Sequence, residues 1–144
     1  MSERDDFQAK TLTRVMEAET ALHDGDPEPR LAMWSHRDPV TLFGAVVSKS
    51  GWADLDPFFR WLAAQFSSTT GYTFDLVACD VSGDMAYTVG YERYCGSLSG
   101  GPVQDVVLRV THIFRREEGE WKIVHRHGDS AQLNEDLLTT EGRP

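Results

Sequence analysis

Four polar side chains interrupt otherwise apolar, Val- and Tyr-rich runs: Tyr91, Arg93, His112 and Arg126. A histidine titrates near neutrality, which is what a general acid or base needs. Arginine forks grip carboxylates, and a tyrosine hydroxyl or an arginine steadies an oxygen on which charge develops. Together the four suit a small anion or a carbonyl group. Each also has a plainer reading: His112 as a neutral, hydrogen-bonded core histidine, and the arginines as partners of local carboxylates such as Asp75 or Asp129. Asp38, near His36 and before Pro39, is a second candidate proton carrier or the cap of the Pro39 turn. Trp34 and Trp52 either wall a hydrophobic ligand or belong to the core.

Other chemistries find little support. His125 and His127 share one strand face, as a metal pair would, but no third ligand stands at a firm spacing, so no metal is expected. His36-Arg37-Asp38 matches a kinase catalytic triplet without its downstream Asn, DFG or Gly-rich loop. There is no nucleophile elbow, GxGxxG or phosphate-cradling loop, so no organic cofactor is expected. Fourteen Lys+Arg against 23 Asp+Glu give a formal charge of -9, which repels nucleic acid and anionic membranes. Apolar runs stay far below the ~20 residues of a bilayer span, and MSERDDF lacks the regions of a secretory signal. Cys79 and Cys95 show no CxxC spacing. A cytoplasmic protein is the expectation.

The 144 residues suit one domain over 1–131, with 132–144 polar and unpatterned as a C-terminal tail. Phe7, Leu12, Val15, Met16 and Leu22 repeat at helical spacing and predict a helix over Arg4–His23. Pro27 and Pro29 suit the opening turn of a short helix through Leu31, Met33 and Trp34, and Val40–Phe43 reads as a strand, Gly44–Gly51 as a loop. Leu55, Phe58, Phe59, Leu62, Ala63 and Phe66 predict a third helix over Asp54–Phe66, with Asp54 or Asp56 as N-cap. Val-, Thr- and Tyr-rich runs separated by Gly-containing turns predict an antiparallel meander: Tyr72–Ser82, Met85–Leu98, Val103–Glu117 and Glu120–Ser130. Helices followed by strands make an α+β domain.

Turn chemistry sets the faces. Glutamate disfavours φ > 0, so Glu118-Gly119 is read as part of a three-residue loop, placing Arg126 with His112, Val110 and Phe114. A two-residue turn there instead brings His125 beside His112. Gly100-Gly101 as a two-residue turn adds Tyr87, Val89, Tyr91 and Arg93 to that face, which the helices should cover. The other face then carries Thr111, Ile113, Trp121 and Ile123 and is expected to meet a second copy in a homodimer.

The run from Arg109 to His127, with its R-x-T, its Gly-containing hairpin, its W-x-I-V at Trp121–Val124 and its late His127 and Asp129, resembles the closing hairpin of the SnoaL-like branch of the nuclear transport factor 2 superfamily. It is similar as well to the association domain of calcium/calmodulin-dependent protein kinase, where the position matching His112 carries a pocket arginine. Asp38-Pro39-Val40-Thr41-Leu42-Phe43-Gly44 agrees upstream, and element order agrees over about residues 8 to 130. The resemblance implies a cone-like fold, three N-terminal helices packed on a curved, mostly antiparallel sheet, with a pocket open at one end.

Two functions follow as expectations. One is a ketosteroid isomerase-like or polyketide cyclase-like enzyme, isomerase, cyclase or dehydratase, moving a proton of a hydrophobic carbonyl substrate with His112 or Asp38 while Tyr91, Arg93 and Arg126 bind it. The other is a non-catalytic domain that binds a small acid or assembles copies of itself.

Overall fold

The structure, a computed structural model, describes residues 2–131, so the expected tail lies outside the described residues. Helix α1 (Glu3–His23) starts where Ser2 accepts the Asp5 amide at 3.1 Å, with three acids in its first turn facing the helix N-terminus. It buries Phe7, Leu12, Val15 and Leu22, and on the same side Glu19 and His23. Helix α2 (Glu28–Met33) opens on its proline, as expected. Strand β1 (Thr41–Phe43) runs into a segment that is not all loop, because Ser48–Ser50 forms β2 and pairs antiparallel with β1. Helix α3 (Trp52–Ala63) both begins and ends earlier than the expected Asp54–Phe66, Phe66 already being strand, and neither Asp54 nor Asp56 caps it. Its Trp52 amide is held by Asp38 at 2.9 Å, while Asp56 pairs with Arg60. No helix among the described residues is long and apolar enough to cross a membrane.

Strands β3 (Phe66–Ser82), β4 (Met85–Leu98), β5 (Gln104–Glu117) and β6 (Glu120–Ser130) form the meander, with β3 starting well before Tyr72. Sheet order is β2-β1-β6-β5-β4-β3, antiparallel except where β1 lies parallel to β6. The helices pack on one face around Trp34, Leu55, Phe59, Phe114 and Ile123. Curvature comes from β3, whose register with β4 slips between Ser67 and Thr70, Thr70 and Thr73, and Leu76 and Ala78. Gly90 permits one close approach: a Cβ there would lie 2.5 Å from the Asp75 carbonyl and 2.7 Å from the Phe74 ring.

Both turns differ from their expected form. The tight turn after β4 is Ser99-Gly100, with Gly101 donating to the Leu98 carbonyl, and the first β4–β5 pair is Gly96 with Gln104. Thr88, not Tyr87 or Val89, therefore faces the row of His112, and the covered face takes Ala86, Gly90, Glu92 and Tyr94. A one-residue offset reverses a whole strand. At the other hairpin Glu118 (φ 51°) and Gly119 (φ 80°) form a two-residue turn, pairing Glu117 with Glu120. A bulge then inserts Val124 between the Phe114–Ile123 and Ile113–His125 pairs, and His112 meets Arg126 after all.

The outer face consequently differs from its expected form. Ile123 is buried and Trp121 packs edge-on against Phe7 at 5.4 Å, both under the helices. Thr111 and Ile113 keep the outer face, joined there by Val77, Tyr87 and Tyr91. Because Glu118 is held in a left-handed conformation, Glu118→Asn is expected to raise stability by about 0.5–1 kcal/mol in urea unfolding, without a change in the slope of the transition.

Candidate functional site

The cone interior holds charge. Arg30 of α2 grips Glu19 of α1 through Nε at 2.9 Å and Nη2 at 2.5 Å. Arg126 of β6 reaches Glu92 of β4 through Nη1 and Nη2 at 2.9 and 2.7 Å and touches Glu19 at 3.1 Å. Tyr72 of β3 donates to Glu92 at 2.6 Å. All four charged side chains are at most 8% exposed. Burial pushes the carboxyls of Glu19 and Glu92 up, but the arginines outweigh it and hold both below the ordinary carboxylate range. Two cations and two anions cancel, and that balance is what allows them inside.

His112 and Arg126 thus share the covered face, 3.3 Å apart, yet what fills the fork of Arg126 is the protein's own Glu92. The guanidinium only donates, so Nε2 of His112 accepts and its proton sits on Nδ1, which has no partner among the described residues. Burial first and Arg126 second drive the His112 pKa down to about 3, so the ring is neutral. A lone pair already engaged and a pKa so low do not suit a general base at neutral pH.

The other expected site residues scatter. Tyr91 and Arg93 stand on the outer face, and Arg93 pairs with Asp75 at 2.8 Å; the offset at the β4–β5 turn is the reason. Asp38 ties β1 to the start of α3. Trp34 is core, 5.0 Å from Phe59, and Trp52 is half-buried under His36, their rings stacked at 4.0 Å. His125 bonds Thr41 at 2.7 Å, and no group of three candidate metal ligands occurs among the described residues.

Space for a ligand opens elsewhere, in a groove of about 720 Å³ between α1 and the bulged start of β3. Met16, Ala21, His23 and Tyr72 line it with Glu17 and Asp24. The His23 ring lies against Phe66, Tyr72 and Tyr94, and its Nδ1 donates to the Glu19 carbonyl at 2.6 Å, leaving Nε2 as a lone pair. Burial pushes its pKa down, so it is neutral. Glu19, Arg30, Glu92, Tyr72 and His23 were missed as site residues. Glu19 and His23, four apart, were legible as polar residues on the apolar stripe of α1.

Replacing Arg126 with Met strands the Glu92 carboxylate and is expected to cost about 3–5 kcal/mol of stability, most of it recovered when Glu92→Gln is added. That pair of urea titrations separates a structural arginine from a ligand-binding one. Acid should also weaken the fold. Unfolding returns His112 to its ordinary value of 6.5, so the unfolded chain binds the extra proton and stability falls as pH drops below 6.5. His23 and His125 act in the same direction, and the carboxylates add to it below about 4.5. His112→Gln should remove up to about 1.4 kcal/mol per pH unit from the slope between pH 4.5 and 6.

Comparison with known proteins bears on this fold. No curated protein matches the sequence. Among solved structures, an NTF2-like protein of Streptomyces avermitilis described as a candidate dehydratase aligns with a TM-score of 0.75 at 18% identity, over 90% of this chain and 99% of that one. A ketosteroid isomerase-like protein of Erwinia carotovora atroseptica aligns at 0.72 and 13% identity, over 88% and 98%. A candidate calcium/calmodulin-dependent protein kinase II association domain of Xanthomonas campestris aligns at 0.62 and 17% identity, over 86% and 88%. These likenesses concern the fold. The SnoaL-like domain family matches residues 12–131, and the chain belongs to it.

Proposed function

We propose that this SnoaL-like protein binds a small organic molecule in the groove between α1 and β3, with His23 as a hydrogen-bond acceptor fixed at its floor. The carrying observation is the His23 ring: buried, held by the Glu19 carbonyl through Nδ1, packed among the tilted and edge-on rings of Phe66, Tyr72 and Tyr94, and left with its Nε2 lone pair at a groove of ligand size. Small-molecule sites of the expected kind need apolar walls and a few aimed polar groups, and Met16, Ala21 and Tyr72 supply the walls. Acid/base chemistry of the isomerase, cyclase or dehydratase type would run through His23, not through His112 or Asp38.

One observation favours binding without turnover. Tyr72 spends its proton on Glu92, and burial with that carboxylate beside it raises its pKa well above 10, so it is not free to steady an oxyanion in the groove. The homodimer expected from the sequence stays part of the proposal, through Val77, Tyr87 and Tyr91 of the outer face in place of Trp121 and Ile123.

Amide NMR spectra with a set of fragment-sized organic molecules test the site. Shifts should cluster on residues 13–24 and 69–72, and Ala21→Trp, which fills the groove, should abolish them while leaving stability within about 0.5 kcal/mol. Long-range imidazole spectra should show His23 as the neutral Nδ1–H form at pH 7. Fragments clustering on the outer sheet face, or a protonated His23, would overturn the assignment.

A further inference from the structure

Four of the polar side chains around the groove share one property. The Thr13 and Thr20 hydroxyls donate to the Ala9 and Met16 carbonyls at 3.0 and 2.8 Å, Tyr72 donates to Glu92, and His23 donates through Nδ1 to the Glu19 carbonyl. Their protons are committed, so what each offers a ligand is a lone pair. Among the described residues the carboxylates of Glu17 and Asp24 form no ion pair, and no lysine or arginine lines the groove. Thr69 and Thr70 supply hydroxyls able to play either part. The C-terminal end of the 21-residue α1 lies at the same place and adds its partial negative charge.

We infer that the groove takes an organic ammonium compound, an apolar body carrying a protonated amine, whose N–H groups donate to His23 Nε2 and whose charge is met by Glu17 and Asp24. This rests on the groove reading above and replaces the small acid or carbonyl group expected from Arg126 and His112. His23 is 4% exposed, and its unshared Nε2 is the directional element; the exposed carboxylates supply field without a fixed geometry. Met16 and Ala21 accommodate the apolar body. An anion would meet two carboxylates and a set of lone pairs with no cation to offset them.

Three isosteric probes decide the class on the full chain: benzylammonium, benzyl alcohol and benzoate, titrated into the labelled protein at low salt and again at 0.3 M salt. Benzylammonium should shift the amides of residues 13–24 and 69–72, bind roughly five- to tenfold more tightly than benzyl alcohol, and weaken as salt rises, while benzoate leaves those amides unmoved. Glu17→Gln with Asp24→Asn, both exposed and outside the buried network, should bring benzylammonium down to the level of the alcohol. Benzyl alcohol or benzoate binding the same residues as tightly as benzylammonium would overturn the ammonium assignment and leave the groove standing. Failure of all three to shift those residues would overturn the groove itself, and the inference with it.

Discussion

Two glutamates and two arginines closed off from water are the constraint on which the rest of this molecule depends. An ion pair of that kind is tolerable only when every charge is met, since each unpaired member would carry several kcal/mol of desolvation. Glu19 comes from α1, Arg30 from α2, Glu92 from β4 and Arg126 from β6. Meeting all four conditions at once fixes how α1 crosses the sheet and where α2 turns back on it. Tyr72 extends the network to β3, so the first strand of the meander, at the sheet edge, is tied to the same centre.

The network also decides where open volume is left. In a cone whose interior is filled by its own paired charges, the His112–Arg126 grip is already satisfied, and the open volume moves to the rim between α1 and β3. The slips that bend the sheet fall between Ser67 and Thr73 of β3, the stretch whose Thr69, Thr70, Gly71 and Tyr72 line that space beside α1. Fold and groove share this origin: the slips that let β3 wrap around the helices produce the curvature, and the opening beside α1 is its by-product.

The strand faces show how far local rules carry. On β4 the odd positions, Tyr87, Val89, Tyr91, are larger and more apolar than the even ones, Ala86, Thr88, Gly90, Glu92. An alternation rule sends the apolar set inward. The actual arrangement is the reverse, because the covered side must admit Phe74 against Gly90 and the carboxylate of Glu92 beneath Arg126, while the apolar set remains on a face that no helix covers. On β6 two departures offset each other. The tighter turn at Glu118-Gly119 shifts the strand by one residue and the bulge at Val124 shifts it by one more in the same direction, so the expected face is restored and Arg126, in place of Val124, stands directly opposite His112.

By itself the sequence determined the α+β class, the three helices, the four long strands and the SnoaL-like family, since periodicity, proline and glycine punctuation and the R-x-T and W-x-I-V runs are local signals within one element or one hairpin. It also marked His112 and Arg126 as neighbours. Only the tertiary structure decided what they do, because Glu19 and Glu92 lie far from Arg126 along the chain and a charge's partner is a matter of distance, not of sequence. His23 belongs to the same class: read along α1 it is one more polar residue at a helix end, and its role at the groove exists only once β3 and β4 bring Phe66, Tyr72 and Tyr94 around the ring. Register was the limiting quantity throughout, for a single bulge or a turn moved by one residue exchanges the two faces of a strand while leaving its composition, length and boundaries unchanged.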